Sequence, residues 1–212
     1  MNDPVMIIRL ANSLTDLMGV CEHDSVISTN AKEERFSLES RKANSLSFEE
    51  KEEVYALFEE NMKSFYMQTW GLKKEDKMNE LFHPAARLFC VHAAPSTGEE
   101  EDVKKSKGPI VAFTLFRFEW DDEEEPEYPV LYCYELQIRS TFQGRGLGRK
   151  LMDVLKVTAT KLKLQKVLLT CFTCNEAAMA FYKSIGFDID EYSPSKSGFP
   201  QDYEILSFPI QL

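Results

Sequence analysis

Gln143-Gly-Arg-Gly-Leu-Gly148 sets three glycines at alternate positions, with Arg145 and Arg149 among and beside them and Lys150 next in line. Glycine lets backbone amides converge on a small target, and arginine supplies charge and directed donors. The chemistry that uses both is anion binding, phosphate above all. Where such a loop leads into a helix, the unbonded N–H groups of the first turn and the helix dipole add positive potential at the same point. A plain glycine turn with solvated arginines is the competing reading of the same residues. A second group of reactive side chains lies just upstream, where Tyr132, Tyr134 and Glu135 place two phenols and a carboxylate close together. Such groups hold, donate and accept protons.

The spacing excludes two common phosphate sites. A dinucleotide fingerprint needs a third glycine three residues after the second, and position 149 is Arg. No G-x-x-x-x-G-K-[ST] string is present either.

The elements that would position these residues follow from periodicity. Tyr128 to Ile138 is rich in aromatic and β-branched residues and predicts a buried strand. Leu147, Leu151, Leu155 and Leu162 recur at helical spacing after the glycines. Residues 1 to about 20 predict an amphipathic helix, and 21 to 34 a polar connector. Arg35–Arg41 predicts a first strand. Ser47 and Glu50 form a capping box for a helix running toward Phe65, with Gly71 at a turn. Lys73–Leu81 predicts a second helix and Ala86–His92 a strand. Ala93–Gly108 predicts a long hairpin loop. Strands are expected at Ile110–Phe118, Lys166–Phe172, Phe187–Tyr192 and Asp202–Phe208. Asn175 opens a helix that stops at Gly186. On the strand through Ile138, Tyr134 and Glu135 point to opposite faces if it is regular, so both reach one site only if it is bulged or splayed.

The chain has 212 residues, enough to bury a sizeable core in one domain. The division expected is a helix and connector over 1–34 packing on a domain spanning 35–212. No apolar run approaches a membrane span, and no signal-peptide pattern is expected, so no membrane association is expected. Five cysteines, an odd count in mostly apolar contexts, predict reduced thiols in an intracellular compartment. Cys171-x-x-Cys174 lacks a second pair, and His23, His83 and His92 show no ligand spacing, so no metal site is expected. A formal net charge of −10 argues against direct nucleic-acid binding. The charge is also polarised. Seven carboxylates lie within Glu119–Glu127, whereas Arg139–Lys166 holds eight Arg or Lys and one acid, Asp153. That suits a polyanionic cofactor on one side and a basic substrate on the other, although acidic runs are also common in solvated loops.

The glycine loop, between a strand and an amphipathic helix, resembles the Q/R-x-x-G-x-G/A pyrophosphate loop of the GNAT superfamily of N-acetyltransferases, which bind acetyl-coenzyme A. Asn175-Glu-Ala-Ala-Met-Ala-Phe-Tyr-Lys-Ser-Ile-Gly-Phe187 is similar to that superfamily's second signature, N-x-x-A-x-x-x-Y-x-x-x-G-F. The resemblance implies a mixed α/β fold: a central, mostly antiparallel twisted sheet, splayed at the cofactor site and flanked by helices. It further implies that Leu136, Gln137 and Ile138 pair by backbone with the pantetheine arm, and that Gln143, Gly144, Arg145, Gly146, Leu147, Gly148 and Arg149 cradle the pyrophosphate. Asn175 would contact the same arm, and Tyr182 would lie near the sulfur, unless it is simply a core aromatic.

A narrower resemblance is to the NatD-type N-terminal acetyltransferases, which modify the first serine of histone H4 and of the 2A-type histone. It rests on Tyr66-x-Gln-x-Trp-Gly71, Leu131-Tyr-Cys-Tyr-Glu-Leu-Gln137, Gly146-Leu-Gly148, Ser193-Pro-Ser-x-Ser-Gly198 and Tyr203-Glu-Ile-Leu-Ser207, and covers roughly residues 60 to 208. It implies direct attack of a terminal α-amine on the thioester of acetyl-coenzyme A. An α-amine has a pKa of about 8, so a base needs to remove only a readily lost proton. Glu135 is the expected base, the alternative being a buried carboxylate in a structural network, with Tyr134 and Tyr132 as proton donors or polarising groups. Tyr66, Trp70, Tyr132, Tyr134, Thr170, Tyr192 and Tyr203 would surround the first residues of the peptide. Glu119 and Asp121 would pair with the arginine of a Ser-Gly-Arg-Gly-Lys tail. Basic histone tails are therefore the expected partners of a monomer in cytoplasm and nucleus. A lysine or small-amine acetyltransferase, or an inactive cofactor-binding module, are the other readings.

Overall fold

A computed structural model describes residues 3–21, 26–28, 35–93, 108–122 and 127–211. The chain runs α1 (Pro4–Ser13), α2 (Met18–Cys21), β1 (Val26–Ser28), β2 (Arg35–Lys42), α3 (Phe48–Gln68), α4 (Lys74–Leu81), β3 (Arg87–Ala93), β4 (Ile110–Trp120) and β5 (Pro129–Ile138). It then runs α5 (Leu147–Lys161), β6 (Lys166–Phe172), α6 (Glu176–Ser184), β7 (Asp188–Ile189) and β8 (Tyr203–Pro209), with single 3₁₀ turns at Ala43–Ser45 and Ser140–Phe142. The eight strands form one sheet in the order β1-β2-β3-β4-β5-β6-β8-β7. Every pairing is antiparallel except β5 with β6. The mixed α/β fold with a mostly antiparallel sheet is therefore the one expected.

The sheet is covered on both faces, so its central strands are continuously apolar rather than alternating. In β3, Phe89 and Val91 enter the core beneath α1, α2 and α5, while Leu88 and Cys90 enter the one beneath α3 and α4. Leu147, Leu151, Val154 and Leu155 make the buried stripe of α5. The capping box of α3 forms as the sequence predicts: Ser47 Oγ accepts from the Glu50 amide and the Glu50 carboxylate from the Ser47 amide. Gly71 (φ +75°) and Gly186 (φ +91°) end their helices in the left-handed conformation.

Three expectations need correction. The N-terminal helix does not run to residue 20: it stops at Ser13, Leu14 is extended, and a separate turn starts at Met18, whose amide is capped by Asp16. Arg87 explains the stop, because its buried guanidinium donates to the terminal carbonyls of Ala11 and Asn12. The connector over 21–34 contains an edge strand, β1, paired in register with β2; residues 22–25 and 29–34 lie outside the described residues. The expected strand over Phe187–Tyr192 shrinks to Asp188–Ile189, because Asp190 turns the chain by accepting from the Tyr192 amide with its side chain and from the Ser193 amide with its carbonyl. The hairpin loop expected over 93–108 falls largely on residues 94–107, and part of the acidic stretch on 123–126; both lie outside the described residues. Among the described residues no helix is long and apolar enough to cross a membrane.

Candidate active site

The site forms where β5 and β6 part. These parallel neighbours pair at Leu131, Tyr132 and Cys133 and then separate. On its other side β5 stays bonded to β4 as far as Ile138. Beyond Cys133 the edge of β5 that faces the gap therefore has no strand partner among the described residues, and at its end the Ile138 carbonyl accepts from the side-chain amides of Asn61 at 3.1 Å and Gln143 at 3.0 Å. The β4–β5 register also slips here: Leu115 faces Glu135 but Phe116 faces Cys133, so Tyr134 is the extra residue of a bulge. The Glu135 carbonyl turns inward and accepts from Thr114 Oγ1 at 3.0 Å. The bulge resolves the alternation problem, and both the Tyr134 and the Glu135 side chains line one pocket.

Two cavities meet at this gap. The first is lined by Tyr132, Tyr134, Glu135, Tyr66, Trp70 and Thr170, together with Lys77, Glu80, Cys133, Cys171 and Phe172. The second runs along Leu136, Gln137 and Ile138 to Gln143, Gly144, Gly146, Leu147, Gly148 and Arg149. Leu136, Gln137, Asn175 and Tyr182 border both.

The second cavity ends on the N-terminus of α5. Gly146 is its left-handed N-cap (φ +87°), so the first amides of the helix stay free of intrahelical partners. A Cβ on Gly148 would lie 3.3 Å from both Ile138 and Phe181, so glycine is what lets this helix end approach β5 and α6. Of the residues expected to hold the cofactor, Arg145 does not line the cavity: its guanidinium turns back onto the Thr141 carbonyl and lies 4.7 Å over the Phe142 ring. Asn175 caps α6 through the Ala178 amide. A free strand edge leading to a helix N-terminus with left-handed glycines fits an elongated ligand with an anionic end.

The first cavity is aromatic and charged. Tyr132 and Tyr134 lie with ring centroids 4.9 Å apart. Tyr132 bonds Thr170 across the gap, holding β5 and β6 at the point where they diverge. Tyr134 donates to the Glu119 carboxylate at 2.9 Å, beneath the Arg117 guanidinium at 4.3 Å from its ring. Burial, then Glu119, raises its pKa, so the phenol stays protonated at neutral pH. Glu135 is buried, with Oε1 2.6 Å from Lys77 Nζ and Oε2 accepting from Gln137 Nε2 at 2.7 Å. Burial raises its pKa above the ordinary carboxylate value, against Lys77 and Gln137, which favour the charged form. For Lys77 burial acts downward, but Glu135, Tyr66 and Glu80 outweigh it and the ammonium is held. Tyr66 is pushed up to about 12 by burial and by Glu135. The two cysteines here are no nucleophiles: burial pushes both Cys133 and Cys171 up to about 12, so neither offers a thiolate at neutral pH.

The remaining expected residues are placed unequally. Tyr66, Trp70 and Tyr203 form an aromatic wall around Phe172, with Trp70 4.6 Å from Phe172 and 5.5 Å from Tyr203. Tyr192 stands apart from the pocket, half-exposed over the Lys166 ammonium. Glu119 and Asp121 do not act as a free pair. Glu119 is held by Tyr134 and by Arg117 at 3.7 Å, while Asp121 Oδ1 accepts from the Glu127 and Tyr128 amides and closes its loop. Sequence reasoning missed Lys77, Glu80 and Phe172. A lysine in a charged helix and a phenylalanine ending a buried strand carry no local signal of a pocket. Asn61, Met62 and Phe65 also line the second cavity, and their helical spacing on α3 was the available signal.

Comparison with known proteins agrees with this geometry. Residues 52–187 match the acetyltransferase (GNAT) family. Among curated proteins, N-alpha-acetyltransferase 40 of Saccharomyces cerevisiae is 30% identical over 94 residues, which is 38% of this chain and 33% of that protein. The chain thus spans about a third of the length of the curated relative it matches. Among solved structures, the ribosomal-protein-S18-alanine N-acetyltransferase of Escherichia coli superposes with a TM-score of 0.53 at 18% identity, over 84% of this chain and 95% of that one. Tetrahymena GCN5 gives 0.54 at 15%, over 83% and 96%. At such identities the likeness is one of fold, but the family match spans the helix α3, the splayed strands, the glycine loop and the Asn175 helix together, and by it the chain belongs to the GNAT family of acetyltransferases.

Proposed function

We propose that this protein is an N-terminal α-amino acetyltransferase of the NatD type, acting on the terminal serine of Ser-Gly-Arg-Gly-Lys tails of histone H4 and the 2A-type histone. The observation that carries the reading is the aromatic pocket with Glu135 buried in its wall, opening directly on the unpaired edge of β5. The match to N-alpha-acetyltransferase 40 supports it.

Acetyl-coenzyme A, the acetyl donor the family implies, supplies an activated thioester. Leu136, Gln137 and Ile138 would hold its pantetheine arm through their main chain, and Gln143, Gly144 and the turn from Gly146 to Arg149 its pyrophosphate. The substrate amine enters the first pocket, where Tyr66, Trp70, Tyr132 and Thr170 leave room for small first residues. Glu135 accepts the amine proton: two donors occupy it, and a carboxylate has about four acceptor sites, so capacity remains. Tyr182, which borders both cavities and is kept protonated by burial, would give a proton to the departing thiolate. Burial holds Cys133 and Cys171 protonated, which supports transfer directly to the amine over passage through an acyl-cysteine. Glu119 at the rim would receive the substrate arginine, with basic histone tails as partners in nucleus and cytoplasm.

Arg117 beside Glu119 favours a second reading, a lysine or small-amine acetyltransferase, because it already neutralises part of the acidic rim. Three peptides separate the readings in the presence of acetyl-coenzyme A: Ser-Gly-Arg-Gly-Lys, the same peptide with a blocked N-terminus, and one beginning Met-Leu. Acetylation of the first alone is expected. Turnover of the blocked peptide would replace the α-amine reading with the lysine one.

A further inference from the structure

Lys77 has no part in the chemistry described above, yet it is the most deeply committed cation of the site. Its helix, Lys-Glu-Asp-Lys-Met-Asn-Glu-Leu, buries Leu81 in the core and otherwise carries mostly polar residues, yet the Lys77 side chain is only 4% exposed. Lysine is almost never so buried without a partner. An ammonium has three donors, and here all three are taken: Glu135 Oε1 at 2.6 Å, the Tyr66 hydroxyl at 2.9 Å and the Glu80 carboxylate. The rings of Phe58 and Tyr66 lie 4.6 and 5.2 Å from Nζ and fix it further.

Glu135 needs such a neighbour. A carboxylate taken out of water shifts toward its neutral form, and a neutral acid accepts no proton. The groups facing Glu135 are Lys77 and Glu80 from α4, Tyr66 from α3, Cys133 on its own strand, and Tyr182 from α6. The tyrosines and the cysteine are held neutral by burial, and Glu80 adds repulsion. Gln137 gives a hydrogen bond but no charge. The compensating cation is Lys77. We propose that Lys77 is a positioning residue that keeps Glu135 ionised and aimed into the acceptor pocket, with Glu80 at the rim anchoring Lys77 in turn. The proposal rests on Glu135 being the base of the transfer.

The test compares Lys77→Met, which keeps the aliphatic stem and removes the charge, with Lys77→Arg, which keeps the charge. An opposite charge at this distance lowers a carboxylate pKa by about 1–3 units. In Lys77→Met the acid limb of the kcat/KM profile should therefore move up by about one unit or more, with activity partly recovered at higher pH. The limb should stay in place in Lys77→Arg. Carbon NMR of protein labelled at the glutamate carboxyl, with the Glu135 signal identified by its loss in Glu135→Gln, should show the same upward movement of its midpoint. An unmoved limb and midpoint in Lys77→Met would overturn the proposal. Should that variant not fold, the unmodified protein decides: a Glu135 midpoint below neutral pH is required, and one above it overturns the idea. Should the unmodified protein turn over no substrate, the assignment of function fails, while the carboxyl titration still decides the role of Lys77.

Discussion

Tyr134 and Glu135 are adjacent in the chain, and adjacent strand residues normally face opposite ways. One extra residue in β5 removes that obstacle, and the inward Glu135 carbonyl, bonded to Thr114, fixes the distortion. The result divides labour among side chains of similar type. Glu135, buried and paired with Lys77, is suited to take a proton; Glu119, a third exposed and shared by Tyr134 and Arg117, is suited to meet a charged substrate. A test of the second role follows. Glu119→Gln removes the charge and keeps the length, so the KM for a peptide with arginine at its third position should rise about tenfold, the scale of one charge-assisted bond. The KM for acetyl-coenzyme A should not change. Asp121 is a poorer target for the same question, because it holds its loop through two backbone amides. Equal KM values for arginine and alanine peptides in the parent protein would remove the recognition claim.

At the scale of elements, the cofactor cavity depends on how closely three of them meet. The α5 N-terminus, the end of β5 and the outer turn of α6 converge on Gly148, where a Cβ would crowd Ile138 and Phe181 at 3.3 Å. Gly148→Val adds a branched side chain to that contact, so the Ile138 and Phe181 side chains must give way and the amide cradle is expected to open. Acetyl-coenzyme A affinity should fall by about tenfold or more, measured by calorimetry, since a preorganised anion site loses donors as it spreads. The fold should survive, because the rest of the α5 stripe, Leu151 to Ala159, stays buried. Much of this was legible beforehand. The glycine loop, the Asn175 cap and the apolar period of α5 each depend on neighbours a few residues away, and all three occur where the sequence places them. The break of α1 at Ser13 was not legible, because its cause is Arg87, distant in the chain and reaching the helix end from β3.

At the scale of the molecule, one sheet carries two cores, and its far edge is tied by a buried pair. Lys166 on β6 donates to Asp190 at 2.9 Å, with the two side chains 8% and 3% exposed. Burial pushes the Asp190 carboxyl up, but the bonds from Ser207, the Tyr192 amide and Lys166 outweigh it and hold it below its ordinary value. A depressed carboxylate contributes stability that is present above the unfolded-state pKa of about 3.9 and lost as the pH falls through the folded value. Asp190→Ala leaves the buried Lys166 ammonium with only the exposed Glu191 carboxylate, at 3.8 Å, as a charged partner and should cost about 3 kcal/mol at neutral pH. The gap between variant and parent should narrow as acid takes the pH below about 4. Thermal melts across that range measure both effects; a constant gap would show that packing, not charge, is what the substitution removes.

The sequence by itself determined the features that arise from local spacing: element order, helix caps, the anion-binding loop and the family it resembles. These rest on hydrogen bonds within a turn and on apolar periods within one element. Only the tertiary structure decided which side chains share a pocket. The parting of β5 from β6 brings Tyr134, Glu135 and Tyr182 to one gap and leaves Tyr192 outside it. It likewise turns Lys77, a residue of a mostly polar helix, into the partner of Glu135 across two elements of the chain. Burial and ion pairing depend on where distant segments land, and no window of the sequence contains both halves of such a contact.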